Sequence, residues 1–119
     1  MSNINDVLNQ LLKTDGAMAA AVVDSDSGLM LGGMGNAFDL ELASAGNTEV
    51  VRAKLKTMKS LNLNDSIDDI LITLHTQYHI ITLSPKSPGL FVYFVLDKSK
   101  ANLALARRAA AEATKNLDV

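Results

Sequence analysis

The sequence predicts an α+β fold in which one antiparallel sheet is covered by helices on both faces. Between Ile70 and Leu96 three apolar runs, ILITLH, YHIITL and LFVYFVL, are separated only by Thr76-Gln77 and by Ser84-Pro85-Lys86-Ser87-Pro88-Gly89. Runs rich in Ile, Val, Thr, Phe and Tyr and bounded by Pro, Gly and Ser form strands joined by short turns, here a three-stranded meander. From Leu90 to Leu96 both alternating sets of side chains are apolar, so the last strand needs cover on both faces. Helical periodicity before, between and after the strands supplies that cover.

The elements follow in order. Ile4, Val7, Leu8, Leu11 and Leu12 mark one apolar face of a short N-terminal helix, which Lys13 to Gly16 breaks. Ala17 to Val23 is an apolar first strand. Asp24-Ser25-Asp26-Ser27-Gly28 has the composition of a hairpin turn, and Leu29 to Leu31 returns as a second strand that Gly32, Gly33 and Gly35 are expected to end. Asp39 to Ser60 is a long helix whose Leu40, Ala43, Val50, Val51, Leu55, Met58 and Leu61 should cover one face of the sheet. Its far side carries Leu42, Ala45, Gly46 and Ala53, where a helix facing only water would be charged. A helix-interior glycine costs roughly 1 kcal/mol against alanine, so Gly46 fits either a close approach by a neighbouring backbone or a kink or later helix start at Asn47. Leu61 to Ser66 forms a loop, Asp68-Asp69 leads into the meander, and Asp97 or Ser99 is expected to cap a final helix. That helix buries Leu103, Ala106, Ala110, Ala113 and Leu117 and leaves Arg107, Arg108, Glu112 and Lys115 mostly outside. With the first and last helices on one face and the long helix on the other, the last strand is doubly covered.

Composition bounds the function. The 119 residues fit one domain, spanning positions 1–119, that can bury a core without metal or disulfide support. The absence of Cys excludes disulfides, thiol catalysis and cysteine-ligated metals, and it suits the cytoplasm. MSNINDVLNQLLK has neither a basic stretch before an apolar one nor a cleavage site, and no run nears the roughly 18 apolar residues of a membrane span, so no membrane insertion is expected. A net charge of −2 and aromatics gathered in the meander argue against nucleic acid as a partner.

No catalytic centre, cofactor site or metal site is expected. A turn at Thr76-Gln77-Tyr78 would set His75 and His79 opposite each other, but two imidazoles without a fixed carboxylate make an incomplete metal site. Asp24, Asp26 and Gly28 echo part of a calcium loop without its later ligands, and a structural turn is the better reading. Gly32-Gly33-Met34-Gly35 lacks the Gly-Lys-Ser/Thr ending of a phosphate loop, and no GxSxG elbow marks an activated serine. Arg52, Lys56 and Lys59 share one side of the long helix. Cations there complement the helix macrodipole, and the same side is a candidate docking surface for an acidic partner.

The order of elements, with AAAVVDSDSGLML at Ala19 to Leu31 and LFVYFVLDKSKANLALARRA at Leu90 to Ala109, resembles the Roadblock/dynein light chain family, especially its small bacterial members. The resemblance implies a five-stranded antiparallel sheet in the order 2-1-5-4-3. It also implies a homodimer formed by pairing the long helices and the third-strand edges. Leu42, Ala45, Gly46 and Ala53 would then meet the twin helix, and Ile70, Ile72 and Leu74 would pair with their own copies. Similar proteins are non-catalytic regulators or scaffolds of Ras-like small GTPases, some of them accelerating GTP hydrolysis. The expectation is therefore a cytoplasmic, homodimeric, non-enzymatic partner of a small GTPase. Its rivals are a small-molecule-sensing domain, an enzyme whose site assembles from scattered residues, and a general protein-interaction scaffold unrelated to GTPases.

Overall fold

In the computed structural model, which describes residues 2–87 and 89–118, the chain runs α1 (Ile4–Leu11), β1 (Ala17–Asp24), β2 (Leu29–Gly35), α2 (Leu40–Ser60), β3 (Asp69–Thr73), β4 (Gln77–Leu83), β5 (Leu90–Asp97) and α3 (Leu103–Asn116). The strands form one antiparallel sheet in the order β2-β1-β5-β4-β3. β5 is the centre, with Val92 opposite Val22 of β1 on one side and Phe94 opposite Ile80 of β4 on the other. Phe91 through Leu96 are all buried, as two-sided cover requires.

Alternation along the strands divides the core in two. Ala20, Val22, Ile80, Val92, Phe94 and Leu96 point to one side, where Val7, Leu8 and Leu11 of α1 and Ala106, Ala110 and Ala113 of α3 close over them. Ala19, Ala21, Val23, Ile81, Phe91, Tyr93 and Val95 point to the other, where Val51 of α2 joins them. The alanine-rich buried face of α3 lets that helix lie close to the large side chains of β5.

Four local expectations are corrected. The glycines do not end β2 but lie within it, through Gly35. A side chain at Gly32 would collide with Ile4 of α1, its Cβ standing 2.5 Å from the isoleucine Cγ2, so glycine here admits a helix rather than ending a strand. The cap of α3 is Asn102, whose side chain accepts from the Leu105 amide at 3.1 Å. Asp97 instead accepts from the Ser99 amide and hydroxyl at 2.9 and 2.7 Å, building the turn that precedes the helix. The chain reverses at His75-Thr76, where the Leu74 amide donates to the Gln77 carbonyl at 2.9 Å, so His75 is an exposed turn residue and Ile72 is the partner of His79. Finally, α2 is one uninterrupted helix through Gly46, without a start at Asn47.

The Asp24–Gly28 turn is structural. The Asp24 carboxylate accepts from the Asp26 amide and the Ser27 hydroxyl, each at 3.0 Å, and Gly28 takes a φ of 78°. Pro88 of the turn before β5 lies outside the described residues.

Candidate interaction surface

α2 begins where the Asp39 side chain accepts from the Leu42 amide at 3.1 Å, and it carries Lys59 in its last turn, both favourable to the helix dipole. The residues it buries are Ser44, Thr48, Val51 and Met58, a stripe rotated from the expected one. Two hydroxyls can face the sheet because each donates within the helix, Ser44 to the Leu40 carbonyl at 2.7 Å and Thr48 to that of Ser44 at 2.8 Å. Leu40 and Ala43 pack against the core as expected, whereas Val50, Leu55 and Leu61 stand 37%, 43% and 62% exposed. Val50 lies about 100° around the helix from Val51, on the outer side. Leu55 and Leu61 belong to the last turns, where Met58 alone is buried.

The outward side of α2 is apolar and small. Leu42, Gly46, Val50 and Ala53, spaced four, four and three residues apart, form one exposed strip. Leu42 is 71% exposed, and a Cβ built on Gly46 would meet nothing within 4 Å. Ala45 is also exposed, but about 100° from Gly46, on the flank with Arg52, Lys56 and Lys59. On that flank Arg52 sits 3.6 Å from Glu49 and donates to the Asp26 carbonyl, which ties the helix to the β1–β2 turn. Lys56 and Lys59 have no ion pair among the described residues.

α2 packs chiefly over β1 and β2, and the opposite margin of the same sheet face ends in β3. Register puts Ile70 opposite Ile81 and Ile72 opposite His79, so both isoleucines are on the α2 side, only partly buried. Leu71 alternates to the other face and Leu74 lies just past the strand, 37% and 43% exposed. The outer edge of β3 has no strand partner among the described residues. The structure thus gathers the predicted outer residues of α2 and the predicted isoleucines of β3 on one side of the sheet.

Two features that support the β3 edge, one on each face of the sheet, escape a reading of the sequence. Arg107 of α3 grips Asp69 with both ends of its guanidinium, Nε to Oδ2 at 2.8 Å and Nη2 to Oδ1 at 2.9 Å, and so fixes the start of β3. Inside the α2-side face, Tyr93 of β5 bonds His79 Nδ1 at 2.9 Å, and His79 Nε2 meets Gln77 Oε1 at 2.8 Å. An amide oxygen only accepts, so Nε2 carries the proton and Nδ1 accepts from the tyrosine hydroxyl. Phe38 stacks at a tilt on the imidazole, 5.7 Å between ring centres. Burial lowers the His79 pKa, holding the neutral ring this network needs. Burial raises that of Tyr93, and the nearby Asn47 side chain of α2 partly opposes the rise. The signal available in sequence was parity, since His79 and Tyr93 each share a strand face with core residues.

No family model matches the sequence, and no curated protein matches it; the likeness lies in three-dimensional form. A Roadblock/LC7 domain from Streptomyces avermitilis superposes with a TM-score of 0.82 at 12% identity, over 96% of this chain and 93% of that one. The chain has the Roadblock/LC7 fold. Myxococcus xanthus MglB shares the Roadblock fold with a TM-score of 0.81 at 18% identity, over 94% and 89% of the two chains. The gliding protein MglB from Thermus thermophilus gives 0.74 at 16% identity, over 94% and 88%. The five-stranded order and the layering anticipated from the resemblance are those of the structure. Among the described residues, no helix is long and apolar enough to cross a membrane.

Proposed function

We propose that this Roadblock-fold chain is a non-catalytic cytoplasmic regulator or scaffold that acts as a homodimer and binds a Ras-like small GTPase, either stimulating its GTP hydrolysis or organising its complex. The observation that carries the proposal is the coincidence, on one side of the sheet, of the bare strip Leu42-Gly46-Val50-Ala53 with the open edge of β3. A twin helix would cover the first and a twin strand the second, so that one two-fold axis satisfies both. Ala45 and Leu74 would lie at the margins of that contact.

The GTPase half rests on the family resemblance in sequence and on the shared fold with MglB and MglC of Myxococcus xanthus, at 18% and 17% identity respectively, the latter with a TM-score of 0.56. Arg52, Lys56 and Lys59 would form the flank offered to an acidic patch on the GTPase, next to the dimer contact. Two measurements test the halves separately. Sedimentation at micromolar concentration should give twice the 12.7 kDa chain mass, and a purely monomeric species would refute the dimer. Small GTPases of the source cell, loaded with GDP or a non-hydrolysable GTP analogue, should be retained on the immobilised protein in one nucleotide state. Retention of neither form would leave a scaffold without a GTPase.

A further inference from the structure

The opposite side of the molecule carries a second surface that the dimer and the GTPase reading leave unused. α1 and α3 lie side by side on the sheet and leave between them an open groove of about 370 Å³. Its floor is Val7, Leu11, Ala109 and Ala113, and Leu105, 55% exposed, stands at its wall. Lys13 at the end of α1 and Arg108 on α3 flank it, and neither has an ion pair among the described residues. The groove's carboxylate, Glu112, lies 3.9 Å from Lys115, so the unbalanced charge at the rim is positive.

We propose that this groove receives an amphipathic helix of a partner protein, with leucine-type anchors on one face and carboxylates beside them. The walls are the sides of two helices, whose backbone groups are already paired internally. An extended segment pressed into such a groove would bury its own amides and carbonyls without partners, whereas a helix satisfies them itself. The apolar floor accepts the anchors, and Lys13 and Arg108 select acidic flanks over basic ones. The chain as a whole is slightly acidic, so this attraction is local to the groove. Because the groove lies across the sheet from α2, the proposal does not rest on the dimer.

The test uses the full chain and two labelled synthetic helical peptides of about four turns, each with leucines at i, i+3, i+4 and i+7, one flanked by Glu and the other by Lys. The Glu peptide should bind at least about tenfold more tightly, and amide shifts should centre on Val7, Leu11, Leu105 and Ala109. Leu105→Glu should weaken it about tenfold. A glutamate in the first turn of α3 suits the helix dipole and leaves the fold intact. Reversal of both exposed cations, Lys13→Glu with Arg108→Glu, should abolish the preference for the Glu peptide. Equal affinity for the two peptides, shifts centred on α2 and β3, or no saturable shift up to roughly 1 mM would overturn the proposal. So would a change in the sedimentation mass of the unliganded chain on Leu105→Glu, which would assign the groove to self-association.

Discussion

Replacement of Gly46 by arginine separates the needs of the isolated chain from those of the proposed assembly. Gly46 lies inside the 21-residue α2, at ordinary helical φ, and a Cβ there meets nothing within 4 Å. Within one chain the substitution therefore removes a poor helix former at no steric cost, a gain of about 0.8 to 1 kcal/mol. For a domain of this size that raises Tm by roughly 4 °C. At a helix–helix contact with axes about 8 to 10 Å apart, an arginine in place of a glycine forces the helices apart and buries a charge. We expect the dimer Kd to rise at least about tenfold, or about 1.4 kcal/mol. Thermal unfolding at concentrations where wild type is also monomeric, with sedimentation over a concentration series, reads the two effects separately. A Gly46→Arg protein that dimerises like wild type refutes the α2 strip as the seam. One that melts below wild type in the monomeric range refutes the unhindered helical site.

Two further predictions concern the support beneath the β3 edge. Arg107→Ala removes both hydrogen bonds to Asp69, and since the guanidinium is half exposed we expect a loss of only about 1 kcal/mol, concentrated locally. Hydrogen exchange of β3 amides should accelerate more than that of β5, and uniform acceleration would show that the pair does not pin the strand. His79, whose pKa burial lowers below 6.5, binds fewer protons in the folded chain than in the unfolded one. Its contribution to stability is thus fully present above about pH 6.5 and is lost as pH falls through the lower folded value. His79→Gln should flatten that acid-side loss in urea titrations; an unchanged slope between about pH 7 and 5 would assign the loss to other groups.

The legibility of the elements varied with how much of their environment is local. β5 was readable because its unbroken apolar run admits only a doubly covered strand, and α3 because its alanines and leucines repeat at helical spacing. α2 was located correctly, but only Leu40, Ala43, Val51 and Met58 of its expected stripe face the core. Hydropathy treats Ser44 and Thr48 as outward residues, and their bonds to carbonyls four residues back make them acceptable inside. Val50, Leu55 and Leu61 were read as core by the same criterion and are exposed. Gly32 was misread as part of a break because the collision it avoids, with Ile4 of α1, lies 28 positions away in the chain.

By itself the sequence determined the element order, the sheet's need for cover on both faces, and which residues of α2 and β3 are candidates for assembly. The element order, the cover and the small outer side of α2 follow from periodicity and composition, which act over a few residues, whereas β3 as an assembly edge is what the family resemblance implies. Only the tertiary structure decided that the strip of α2 and the isoleucines of β3 share one side of the sheet, that Arg107 anchors the edge through Asp69, and that α1 and α3 enclose a second groove. Each of these depends on register and on how a helix is rotated about its axis, which long-range packing sets and local hydropathy does not.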